Sequence, residues 1–224
     1  MSAPARTFTV RHLQLLRALF AAASALMITF SPDHSAAIGF SVFGGFVAAS
    51  GFILIVGAWV VASAGTRWPF ILLAVIDLAA AIVSGIPTWR TEAAFFVVVI
   101  IWAAASGLVE LIAGLRARRT DPAARDAVTI GALGLLLAVV LLLIPANYAL
   151  QYSVEGAGEL TLTGIILAVG MFGGYCAIVA VFLAIAGFSP RRPEPVSTEA
   201  ADVAGAPART DSTSSDSTPT GGAA

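Results

Sequence analysis

Three ionisable side chains lie inside long apolar runs of this 224-residue chain: Arg17, Asp77 and Glu110. Charge is costly in hydrocarbon, so such groups face the interior of a helical bundle and pair with one another. At 1.5 Å per residue, Asp77 stands roughly 13 Å beyond Trp68, near the middle of a bilayer. Glu110 precedes Arg116, and Arg17 follows Arg11, by roughly 9 Å each. The similar depth makes Arg17 and Glu110 a pair, with Asp77 within reach of the guanidinium. One cation against two carboxyls leaves a negative charge in excess, and in a low-dielectric site one carboxyl would hold a proton. Such a cluster suits proton sensing or transport. The simpler role is a buried pair that fixes helix register, with Arg17 snorkelling partly to the interface.

Other residues with chemical potential are sparse. Asp33-His34 sits between two apolar runs, where an imidazole would titrate near neutrality, although a lone loop His is usually just polar. Cys176 is the one cysteine; it has no partner for an intrachain disulfide and no ligand cluster for zinc. Trp59, Trp68 and Trp89 lie near run ends, as in an interfacial belt. Trp102 and Tyr175 fall mid-run, where packing is their expected role. No H-E-x-x-H, G-x-S-x-G or G-x-x-x-x-G-K-[ST] pattern occurs, so no catalytic site, metal or cofactor is expected. Nor is there a basic patch interleaved with aromatics, which argues against nucleic acid as a partner.

The elements that must position these residues are set by composition. The chain is 58% hydrophobic and 11% charged, against about 25% charged in an ordinary soluble domain. Charge-free stretches separated by short polar joints give runs at about 13–30, 38–64, 68–86, 93–115, 127–144 and 161–188. Each is near the ~20 residues a helix needs to cross ~30 Å of hydrocarbon. Only helices satisfy their backbone within one segment there. Pro32, Pro87 and Pro145 fall at run ends, where a missing N–H costs little. The first run follows a basic segment, as a secretory leader would. Its length, the lack of a small-residue cleavage site and the later runs favour a span. The fold class expected is therefore an all-α polytopic membrane bundle of six transmembrane helices over residues 11–188.

Arg6, Arg11, Arg67, Arg116, Arg118, Arg119, Arg125, Arg191 and Arg192 fall in one alternate set of joints, and Arg90 alone in the other. This asymmetry places both termini in the cytoplasm and Asp33, His34, Glu155 and Glu159 outside. Residues 1–10 form a polar cytoplasmic segment. Residues 189–224, rich in Ala, Pro, Ser, Thr and Asp, are expected to be a disordered cytoplasmic tail. The lack of Lys among the basic residues suggests a GC-rich, bacterial source. The lipid bilayer is the expected partner, with further copies of the chain or other membrane proteins beside it.

The runs also repeat. Odd runs end in Phe30-Ser31-Pro32, Gly85-Ile86-Pro87 and Leu143-Ile144-Pro145. Even runs share Ala48-Ala49-Ser50-Gly51 and Ala104-Ala105-Ser106-Gly107, with Gly173-Gly174 a looser counterpart, and each leads to Arg. The unit is a helical hairpin of about 55–60 residues in three co-oriented tandem copies, a parallel repeat. Small-residue pairs such as Gly45/Ala49 and Gly170/Gly174 are expected where helices approach closely. An odd span ending in Pro, followed by an even span of the form of residues 104–119, resembles the HdeD-like family of bacterial short-repeat membrane proteins. The likeness covers about residues 11–192 and departs in the third unit and the tail. It implies a bacterial inner-membrane, multi-pass, non-enzymatic protein associated with acid or envelope stress tolerance. A small transporter or channel with a proton-sensitive cluster is the alternative.

Overall fold

A helix satisfies the backbone of an apolar run within the run itself, and the described residues hold six α-helices. The computed structural model describes residues 9–63, 67–119, 124–156 and 158–189. The helices are α1 (Val10–Phe30), α2 (Ala36–Val60), α3 (Trp68–Ser84), α4 (Glu92–Ala117), α5 (Ala124–Leu143) and α6 (Gly164–Phe188). All but α3 are long and apolar enough to cross a membrane. α3 is an apolar helix of 17 residues, which at 1.5 Å per residue rises about 25 Å.

Local chemistry sets the helix ends. The Ser35 hydroxyl accepts from the Ile38 N–H at 3.5 Å to cap α2, and Asp33 in turn accepts from both the Ser35 N–H (2.8 Å) and its hydroxyl (2.9 Å). Asp33 is thus occupied in a capping turn. Thr91 caps α4 through the Ala94 N–H at 3.3 Å. α3 opens on Trp68-Pro69, where proline is pre-set for a first turn. It stops at Gly85, ahead of a short 3-10 turn, Pro87–Trp89.

The joint between α5 and α6 is more than a loop. Ala149–Val154 (β1) and Gly158–Thr163 (β2) pair antiparallel, with Leu150 opposite Leu162 and Tyr152 opposite Leu160. Gly156 and Gly158 take φ of +86° and +82°, the left-handed region open to glycine without a Cβ clash. The period-2 apolar pattern between glycines favours this hairpin over helix. The all-α expectation is amended accordingly, and α6 starts at Gly164 instead of near Thr161.

Each helix packs on its neighbours in sequence, and α6 returns to pack on α1, so the six close into a ring. α2, α4 and α6 also touch one another. The most extensive packing joins α4 to α5, α1 to α6 and α2 to α3, that is, between the expected hairpin units and not within them. The helix termini sort into two ends. One gathers Arg11, Arg67, Arg116, Arg118, Arg119 and Arg125 and is called here the arginine end. The other carries the β-hairpin and Arg90. At the arginine end Arg11 Nε donates to the Gly187 carbonyl at 2.9 Å, satisfying one of the open carbonyls at the end of α6.

Between the even helices Phe43, Phe46, Trp102 and Phe172 stack edge to face, with centroids 5.2 Å apart for Phe43–Trp102 and 5.4 Å for Phe43–Phe172. Phe40 and Phe95 extend this core towards the hairpin end, 5.3 Å apart. Outward-facing positions are apolar as well, including Leu19, Phe30, Ile82, Ile101, Leu142 and Ile185. Such a surface suits lipid contact and is far larger than a water-soluble monomer exposes.

Close helix approach occurs at other small residues than the pairs expected. A Cβ on Gly131 would stand 2.6 Å from the Gly107 carbonyl oxygen and 2.5 Å from the Leu111 nitrogen, so α4 and α5 meet backbone to backbone. Gly45, Gly170 and Gly174 have nothing within 4 Å of such a carbon and face outward. The helix rotation that turns Phe46 and Phe172 inward leaves these glycines on the opposite side. The expected cytoplasmic segment 1–10 and disordered tail 189–224 lie, except for Thr9, Val10 and Ser189, outside the described residues.

Candidate functional site: a buried charge cluster behind a vestibule

Arg17, Asp77 and Glu110 come from α1, α3 and α4, and the ring brings them around one small cavity of about 20 Å³. That is room for a single water-sized sphere. Arg17 Nη2 donates to Glu110 Oε1 at 2.7 Å, and this is the only ion pair among the described residues. The Arg17 side chain keeps 21% exposure, against 8% for Glu110. The guanidinium therefore carries the accessible part of the pair.

Asp77, 5% exposed, does not bond to Arg17. Its Oδ1 accepts from the indole Nε1 of Trp102 at 2.7 Å. Trp102, expected only to pack, does two jobs: its ring lies in the aromatic core and its N–H holds Asp77. Position 102 lies on the helix that carries Glu110, two turns away, so both hydrogen-bonding groups reach the cavity from one face of α4. The only sequence signal was a mid-run Trp on the run after the one that carries Asp77, and it does not show that the two face each other. Ser50, Ser106 and Tyr175 complete the polar part of the wall. Ser106 itself is bonded back to the Trp102 carbonyl at 2.7 Å. No buried side-chain nitrogen or oxygen among the described residues lacks a partner.

A second cavity, of about 480 Å³, opens at the arginine end. Its walls come from all six helices and are mostly apolar, with Leu13, Leu54, Phe70 and Leu73 among them. Arg17 and Glu110, with Leu54, Leu73 and Leu183, line this vestibule as well as the small cavity, so the ion pair stands at the boundary between the two. Near the mouth Gln14 Nε2 donates to Asp126 Oδ2 at 3.0 Å, and the Arg116 guanidinium lies 5.6 Å from the Trp68 ring centroid in a cation–π contact. In the other direction, Phe46, Phe43 and Phe40 follow one another along α2 towards the hairpin end and fill the bundle.

The remaining sequence candidates stand apart from this site. His34 lies in the capping turn before α2, and Cys176 is buried in the core. Trp59 and Trp89 are largely exposed at helix ends. Among the described residues no three His, Cys, Asp or Glu side chains converge as a metal-ligand set. The fold and its apolar surface define the class as a multi-pass α-helical membrane protein. Comparison with protein-family models, curated proteins and solved structures gives no match to this chain.

Proposed function

We infer that this is a non-enzymatic, HdeD-like membrane protein serving acid or envelope stress tolerance through a proton-sensitive cluster of Arg17, Asp77 and Glu110. In this reading α3 completes a six-span bundle of three co-oriented hairpins in the cell membrane. The arginine end and both termini face the cytoplasm, as the distribution of Arg favours.

The observation that carries the reading is the one-sided access to Asp77. The Arg17–Glu110 pair and Leu54, Leu73 and Leu183 stand between its cavity and the vestibule, while aromatic side chains fill the bundle on the other side. Two carboxyls and one guanidinium converge on that cavity, Glu110 paired with Arg17 and Asp77 held by Trp102. Access from one end alone suits a sensor better than a through-path, so a transporter or channel is the second reading. The vestibule is the feature that favours it.

The test is the double replacement Asp77→Asn with Glu110→Gln in a strain lacking the chromosomal copy. Acid survival is expected to fall while the purified variant elutes as the wild type does. Survival equal to wild type would remove the proposal. Proton flux into proteoliposomes, present in wild type and lost in the variant, would shift the assignment to the transporter reading.

A further inference from the structure

The guanidinium of Arg17 offers five N–H donors. Glu110 takes one of them, at Nη2, and no other acceptor in the described part of the chain bonds to Arg17. Because no buried side-chain nitrogen there lacks a partner, Nε and Nη1 keep accessible surface, and Arg17 lines both cavities. The small cavity admits one water-sized sphere; the vestibule has the volume of a ligand pocket. The two carboxylates of the vestibule each accept one bond, Glu110 from Arg17 and Asp126 from Gln14. Arg17 keeps further donors, and Arg116 stacks on Trp68 with no acid paired to it among the described residues. At the floor of the vestibule Arg17 keeps N–H donors unspent, and the walls above it are largely apolar.

We propose that the vestibule is a binding site for a single-chain amphiphile with a compact oxyanion head, which Arg17 receives at the floor. The alkyl body lies along Leu54, Phe70 and Leu73. The head is a carboxylate, as in a fatty acid, or a phosphate ester, as in a lysolipid; both offer acceptors in the plane of the guanidinium fork. The inference deepens the proposed function, since it rests on the Arg17–Glu110 pair being the working floor of the vestibule.

The test titrates the purified full-length protein in maltoside detergent with laurate, dodecyl phosphate and dodecanol. Tryptophan fluorescence, to which Trp68 in the vestibule wall contributes, reports binding, and the thermal unfolding midpoint confirms it. At least one of the two anions is expected to bind tenfold or more tightly than dodecanol. Laurate alone identifies a carboxylic acid; dodecyl phosphate alone identifies a lipid-type headgroup. Arg17→Gln with Glu110→Gln removes both charges together and should bring the three ligands to equal affinity. Ala113→Trp, which fills the vestibule from α4 and leaves the ion pair in place, should abolish binding of all three. Dodecanol binding as tightly as both anions in the wild type, or anion affinity unchanged in the Arg17→Gln/Glu110→Gln protein, overturns the proposal. Loss of the amphiphile site with acid survival still dependent on Asp77 and Glu110 would remove this inference and leave the proposed function standing.

Discussion

The indole N–H of Trp102 on α4 donates to the carboxylate of Asp77 on α3 at 2.7 Å, and both side chains are buried. The bond ties two helices that otherwise meet through apolar side chains, and it fixes the edge of the aromatic core on which Phe43, Phe46 and Phe172 pack.

Removing the donor strands the acceptor. Trp102→Phe should destabilise the bundle by about 1–3 kcal/mol, the cost of a buried acceptor left unmade, with lost packing in addition. Asp77→Leu in the Trp102→Phe background should recover part of that loss. Denaturant unfolding in mixed micelles measures both. A double variant no more stable than Trp102→Phe alone would show that the bond is not the origin of the effect.

The Arg17–Glu110 pair should behave asymmetrically. Glu110→Ala leaves a guanidinium without its acid and is expected to cost about 3–5 kcal/mol, whereas Arg17→Met with Glu110→Met should cost far less. Thermal unfolding of the three purified proteins reads the difference. Equal losses in the single and double variants would contradict a buried pair.

Glycine substitutions should separate inner from outer faces. A Cβ at Gly131 meets backbone atoms of α4 at 2.5 and 2.6 Å, and backbone cannot rotate away. Gly131→Ala should therefore destabilise by about 1–3 kcal/mol through overpacking. Gly174→Ala, which meets nothing within 4 Å, should stay within about 0.5 kcal/mol of wild type. The same unfolding assay compares them, and a reversed order would refute the packing of α4 on α5.

Membrane orientation is open to a labelling test. In a Cys176→Ser background, Glu159→Cys in the β-hairpin should react with an impermeant maleimide on intact cells. Arg118→Cys at the arginine end should react only after the membrane is opened. The opposite pattern would place the arginine end outside.

Much of the fold is legible in the sequence because hydrocarbon leaves the backbone few options. Six apolar runs separated by polar joints become six helices with ends close to those read from charge and proline, and α3 is the shortest of them. The β-hairpin was harder to see: Leu150, Tyr152, Leu160 and Leu162 form a short period-2 pattern in a polar joint, a weak signal beside the long helical runs.

The sequence by itself determined which residues are too costly to leave in lipid, and so assigned Arg17, Asp77 and Glu110 to the interior. Their depth along the helices follows from a fixed rise per residue. Equal depth pointed to the Arg17–Glu110 pair, but that Asp77 bonds to Trp102 and not to the guanidinium was decided by tertiary structure, because azimuth around an all-apolar helix leaves no trace in hydropathy. Rotation of α4 gave Glu110 to Arg17 and Trp102 to Asp77, and the same rotations turned Gly107 and Gly131 inward and left Gly170 and Gly174 on the outer face. The vestibule, too, exists only in three dimensions, because its walls are drawn from all six helices and no single run encodes it.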